Sequence, residues 1–158
     1  MNETIKMIHR DHTGKLSDVS AFSAQVADTV TNYHKSFPTY QVTPLADLKN
    51  LAAALGLSSL HVKDESYRFG INAFKGLGGS FCLGNYMAHK LNKPISELPY
   101  DVLTSEETKK AIGQITFVTA TDVNHGRGIA WTAQQLGQKA VIYMPKGSSP
   151  EQIGRAHV

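Results

Sequence analysis

The chain has one cysteine, Cys82, among its 158 residues, which excludes an intrachain disulfide framework. Its seven histidines are dispersed, with no CxxC or HxxxH spacing, so no metal site is predicted. Lys and Arg number 16 against 13 acidic residues, for a net charge of +3. They are scattered rather than clustered, which argues against a nucleic-acid surface. No apolar run reaches membrane-spanning length, and residues 1–10 alternate polar and apolar with no apolar signal region. Neither a membrane anchor nor secretion is predicted, and a cytoplasmic location is the simplest expectation. Leu77-Gly78-Gly79-Ser80 is not followed by the Gly-Lys-Ser/Thr of a phosphate-binding loop, so it is not read as a nucleotide site. Repeats and low-complexity stretches are also missing.

What is present suits about one domain, with a hydrophobic fraction of 41% that is ample for a packed core. Residues 20–35 predict a helix with Phe22, Val26 and Val30 on its apolar face. An extended stretch follows until Thr43, which is placed to cap a helix whose first residue is Pro44 and whose end is Gly56. Residues 59–63 read as a short strand and residues 74–91 as a helix. Glycines 76, 78, 79 and 84 lower the propensity of that helix by about 1 kcal/mol each, so something is expected to pass close to its backbone. Cys82, on the same helix, is read as a small buried hydrophobe. Residues 92–100 read as loop, and 105–112 as a short charged helix. A β-rich run at 115–119, a turn at 122–128, a helix at 128–136 stopped by Gly137 and a strand at 140–144 make a βαβ unit. That unit implies a parallel sheet with its ligand crevice at the carboxyl ends of the strands.

Two clusters carry chemistry. In Arg68-Phe69-Gly70-Ile71-Asn72-Ala73-Phe74-Lys75 a strand-like run meets a small-residue helix. A lysine amine can react with a cofactor aldehyde only when part of it is unprotonated, which requires desolvation or a neighbouring cation. The apolar and glycine neighbours of Lys75 allow a partly buried amine, although from spacing alone a solvated lysine in a first helical turn is the commoner case. The second cluster, Thr119-Ala120-Thr121-Asp122-Val123-Asn124-His125-Gly126-Arg127-Gly128, precedes a helix. Its free backbone amides could hold a carboxylate, or the residues could be an Asx-rich cap and no more.

Asn72-Ala73-Phe74-Lys75 after Lys63-Asp64-Glu65-Ser66, followed by Thr121-Asp122-Val123-Asn124-His125-Gly126, resembles the tryptophan synthase β-like, fold type II, pyridoxal phosphate enzymes over residues 37–147. Arg68-Phe69-Gly70 and the aspartate at 122 are similar to the branch of ammonia-lyases acting on 2,3-diaminopropionate. Threonine and serine dehydratases share the lysine and the asparagine loop but not those two marks. The resemblance implies an α/β fold, a three-layer parallel sheet with flanking helices, and a pyridoxal 5'-phosphate cofactor. It implies Lys75, Phe74 and Asn124 as cofactor-binding residues, with Phe74 against the ring and Asn124 bonded to the pyridine hydroxyl. Thr121, Asp122, Asn124 and His125 become the substrate-carboxylate loop. Lys75 and Asp122 become the catalytic bases for the L- and D-isomers, with pyruvate and ammonia as products. The implied partner is a small amino-acid substrate, and the whole enzyme is implied to be a homodimer.

The chain departs from this pattern in two ways. Val123 stands where the family has glycine, and a β-branched residue fits a positive-φ turn poorly, so a distorted carboxylate loop is expected. The family pattern also continues past Gly147 to the phosphate loop and the residue facing the pyridine nitrogen, so the fold is expected to be incomplete. Gln152-Ile153-Gly154-Arg155-Ala156-His157-Val158 resembles the translation of a short-read sequencing adapter. Residues 152–158 are therefore expected to be a non-native tail, and 1–151 the amino-terminal part of the lyase fold. Made alone, the chain is expected to be inactive and poorly soluble, and non-catalytic α/β behaviour is the alternative to the enzyme reading.

Overall fold

The structure, a computed structural model, describes residues 18–121, 123–150 and Gly154. Asp122 and, Gly154 excepted, the expected tail at 152–158 lie outside the described residues.

Helix α1 spans Ala24–Lys35. It starts later than predicted because Ser23 is extended and its Oγ accepts from the Val26 amide, an N-cap that separates α1 from a 3-10 turn at Ser20–Phe22. The expected apolar face is not the buried one. Phe22 is 86% exposed and Val26 is exposed, whereas Tyr33, His34 and, just beyond the helix, Phe37 are buried. The reason is tertiary: the Tyr33 hydroxyl donates to the Ser80 carbonyl at 2.9 Å, and its ring occupies the space a side chain on Gly84 would fill.

The helix predicted from Pro44 begins later. Leu45–Asp47 forms strand β1, paired antiparallel with β2, His61–Lys63, in the register Leu45↔Lys63 to Asp47↔His61. Helix α2 spans only Lys49–Ala54, followed by Gly56 at φ +68°. Thr43 caps nothing, because its buried hydroxyl is bonded to Glu65 and Arg68 instead.

Helix α3 runs Lys75–Leu91 and ends at Asn92 in the left-handed region. Close passage explains three of its four marked glycines. Phe69 and Ile71 crowd Gly76, Ile129 and the Gly128 backbone crowd Gly79, and Tyr33 crowds Gly84, while Gly78 faces open space. Cys82 is exposed, contrary to expectation. The core-facing positions of α3 are taken by Gly79, Leu83 and Met87, and Cys82 falls off that stripe. The predicted loop contains a 3-10 turn at Ile95–Glu97, and its last residue opens helix α4, Tyr100–Leu103. Pro94 and Pro99 sit at the positions just before these two elements. Helix α5, Glu106–Ile112, is capped by Ser105, whose Oγ accepts from Thr108.

The βαβ unit is present. Strand β3, Thr116–Ala120, pairs parallel with β4, Lys139–Tyr143, and helix α6 between them spans Val123–Gln135. Residues 123–127, expected in a turn, are helical. Gly137, at φ +67°, ends the connection, and the Gln138 amide reaches back to the Ala133 carbonyl. Phe117, Thr119, Ala140 and Ile142 face inward, with Phe117 edge-on to Tyr86 of α3. On the other face Val118 is 62% and Tyr143 63% exposed. The described part of the fold is thus a small parallel sheet covered on one side by helices, plus an antiparallel pair. Its core is built on Met87, Leu98, Leu103 and Leu136 and on the ring stack Phe37, Trp131 and Phe69.

Candidate active site

Lys75 is the first residue of α3. The backbone leading to it is unusual, with Phe69 at φ 53°, Gly70 at φ 70° and Asn72 at φ 54°. Positive φ suits glycine and is tolerated by asparagine, but an aromatic residue rarely adopts it. Lys75 is half-buried. Its Nζ lies 4.6 Å from the ring centroid of Phe74, a residue that is itself 55% exposed. No side chain caps the start of α3, so its first amides are left to other partners.

Two glycines bring the second cluster to this lysine. A Cβ on Gly126 would stand 2.6 Å from Ile142 Cγ2 of β4. A Cβ on Gly128 would stand 2.8 Å from the Lys75 carbonyl carbon and 3.0 Å from the Gly76 nitrogen. Residues two apart lie on nearly opposite sides of a helix, so the first turns of α6 are held between β4 and the start of α3. Thr121, half-buried, sits at the carboxyl end of β3 with its amide on the Tyr143 carbonyl at 2.9 Å. Asn124 is exposed and His125 half-buried in the first turn of α6. Val123 is the first residue of α6. The expected distortion concerns a loop that includes Asp122, which lies outside the described residues.

Behind Lys75 lies a network that sequence reasoning missed. Arg68 is 6% exposed. Its Nε donates to Glu65 Oε2 at 2.8 Å and its Nη2 to Glu65 Oε1 at 2.9 Å, a bidentate pair. Nη1 donates to the Gln41 carbonyl at 2.9 Å and Nη2 also to Thr43 Oγ1 at 3.1 Å. Thr43 donates in turn to Glu65 Oε1 at 2.5 Å. The hydrogen bonds from Arg68, and after them the one from Thr43, hold the Glu65 carboxyl at about 2, against an ordinary 4.5, although burial pushes it the other way. The i,i+3 spacing of Glu65 and Arg68 was the available sequence signal.

Residues 37–157 match the pyridoxal-phosphate dependent enzyme family. The chain belongs to that family. It is 51% identical over 152 residues to the diaminopropionate ammonia-lyase of Salmonella typhimurium, an alignment covering 94% of this chain and 38% of that protein. To the diaminopropionate ammonia-lyase of Escherichia coli it is 47% identical over 133 residues, covering 84% and 32%. It superposes on the crystal structure of the Escherichia coli enzyme in complex with D-serine with a TM-score of 0.80 and 45% identity, covering 89% of this chain and 35% of that one. The apo form of that enzyme gives a TM-score of 0.80 at 44% identity. The chain spans 32 to 38% of the length of these curated relatives.

The residues present fit the pyridoxal phosphate of this family. A half-buried primary amine stands beside an aromatic ring, close to the amino-terminal turns of two helices, α3 and α6, whose amides and dipoles favour anions. Arg127 Nε, on α6, is buried with no hydrogen-bond partner among the described residues, a donor that an anionic group would satisfy.

Proposed function

We propose that the protein to which this chain belongs is a pyridoxal phosphate-dependent carbon–nitrogen lyase. It converts 2,3-diaminopropionate to pyruvate and ammonia: α,β-elimination releases the β-amino group, and water then hydrolyses the enamine left behind to pyruvate and a second ammonia. We place it in the cytoplasm as a homodimer serving amino-acid catabolism. The observation that supports the reading is the seating of Gly128 of α6 on the Lys75 backbone, which joins the helix that begins at Val123 to the start of α3. The high identity to proteins named diaminopropionate ammonia-lyase supports the choice of substrate.

Lys75 would hold the cofactor, with Phe74 against its ring and Asn124 at its ring hydroxyl. The bound cofactor supplies an electron sink for the pair left at Cα. Thr121, Asp122, Asn124 and His125 hold the substrate carboxylate at the amino end of α6. The Lys75 amine takes the Cα proton of the L-isomer, and the Asp122 carboxylate takes that of the D-isomer. The D-serine complex of the Escherichia coli relative supports a site open to D-amino acids. The test is 2-oxo acid release by the full-length protein, read as pyruvate from D- and L-diaminopropionate and from serine and as 2-oxobutanoate from threonine. Turnover of the diamino acid exceeding that of the hydroxy acids is expected, and the reverse would make the protein a dehydratase.

A further inference from the structure

The backbone of Lys75 and Gly76 is gripped from two sides. On one side lies α6, with the position of a Gly128 Cβ 2.9 Å from the Lys75 carbonyl oxygen. On the other, Phe69 Cδ2 and Ile71 Cδ1 stand 3.0 and 2.9 Å from where a Gly76 Cβ would be. Phe69 is also stacked on Trp131 of α6, with ring centroids 4.5 Å apart and planes at 21°. One ring therefore touches both helices that build the site. It does so from a left-handed backbone, φ 53° and ψ 15°, and such strained residues persist only where their surroundings hold them.

The hold is Arg68. Its guanidinium is fixed at both Glu65 oxygens, at Thr43 and at the Gln41 carbonyl, and it lies 5.8 Å from the Phe69 ring. The Ile71 amide closes the turn on the Arg68 carbonyl at 3.1 Å. We propose that the Glu65–Arg68 pair, with Thr43, is a positioning device for Lys75: it keeps Phe69 in the reversed conformation that seats its ring between Trp131 and Gly76. Glu65 and Arg68 are positioning residues, and they act through Phe69. This inference rests on the reading of Lys75 as the cofactor lysine.

The test uses the full-length holoenzyme carrying Glu65→Gln, Arg68→Lys or Thr43→Val. A displaced lysine should lower kcat about 10- to 100-fold while KM changes less than about threefold, and should shift the pH midpoint of the cofactor absorbance. In cofactor-free protein, hydrogen exchange should quicken over residues 66–78 and not elsewhere. If Arg68→Lys fails to fold, Glu65→Gln and Thr43→Val decide the matter. Unchanged kcat, midpoint and exchange in Glu65→Gln would overturn the proposal. So would exchange rising throughout the chain, which marks loss of fold rather than displacement of one lysine. Borohydride labelling of the unsubstituted holoenzyme separates the two failures. Label away from Lys75 sinks the functional reading, while the exchange measurement still reports on the clamp.

Discussion

Gly128 of α6 lies directly on the backbone of Lys75 at the start of α3, so near that a methyl group at 128 would stand 2.8 Å from the Lys75 carbonyl carbon. The obstacle is backbone, which cannot swing aside as a flexible side-chain end would. The spacing of α3 and α6 at this point is set by the absence of one methyl group.

Gly128→Ala should therefore force α3 and α6 apart, lowering stability by about 1–3 kcal/mol together with cofactor affinity. Gly78→Ala is the control. It is helical and meets nothing within 4 Å, so it should be neutral or stabilising by about 0.5–1 kcal/mol. Denaturant unfolding of both variants checks the contrast.

Borohydride reduction of the full-length holoenzyme, followed by peptide mapping, should place the cofactor label on Lys75. Lys75→Ala should carry none.

Asp122→Asn in the full-length protein should cut turnover of D-diaminopropionate by about 100-fold or more, the usual scale of a general-base contribution. Turnover of the L-isomer should fall far less. Equal losses on the two isomers would make Asp122 a residue that positions substrate.

Glu65 gives stability a definite acid dependence. Its folded-state pKa, about 2, lies below its ordinary 4.5, so its contribution is fully present above pH 4.5 and is lost as the pH falls towards 2. Glu65→Gln should flatten stability against pH across that window. Urea midpoints measured at several acid pH values would show it, and parallel curves for the two proteins would count against the assignment.

The uncovered face of the β3–β4 pair should govern the behaviour of the 158-residue chain expressed alone. Parallel sheets are ordinarily covered on both faces, and here Val118, Val141 and Tyr143 are exposed side by side. The chain should associate, and Val118→Thr with Val141→Thr should reduce light scattering at equal concentration.

The sequence by itself determined the βαβ unit, the helix predicted over 74–91 and the stops at Gly56 and Gly137, because β-branched runs, helical periodicity and positive-φ glycines act within a few residues. It also marked both clusters of the site, whose residue types are chemically uncommon in that order. Only the tertiary structure decided that Thr43 serves Arg68 rather than a helix. The local capping signal was genuine, but the pairing of Leu45–Asp47 with His61–Lys63 and the buried guanidinium outweighed it. It likewise decided that Tyr33 rather than Phe22 faces the core, that Cys82 faces out, and that Arg68 holds Phe69 in place. Above all it decided that Gly128 meets Lys75. Each of these depends on groups far apart in the chain competing for the same space, and no local pattern records which of them will meet.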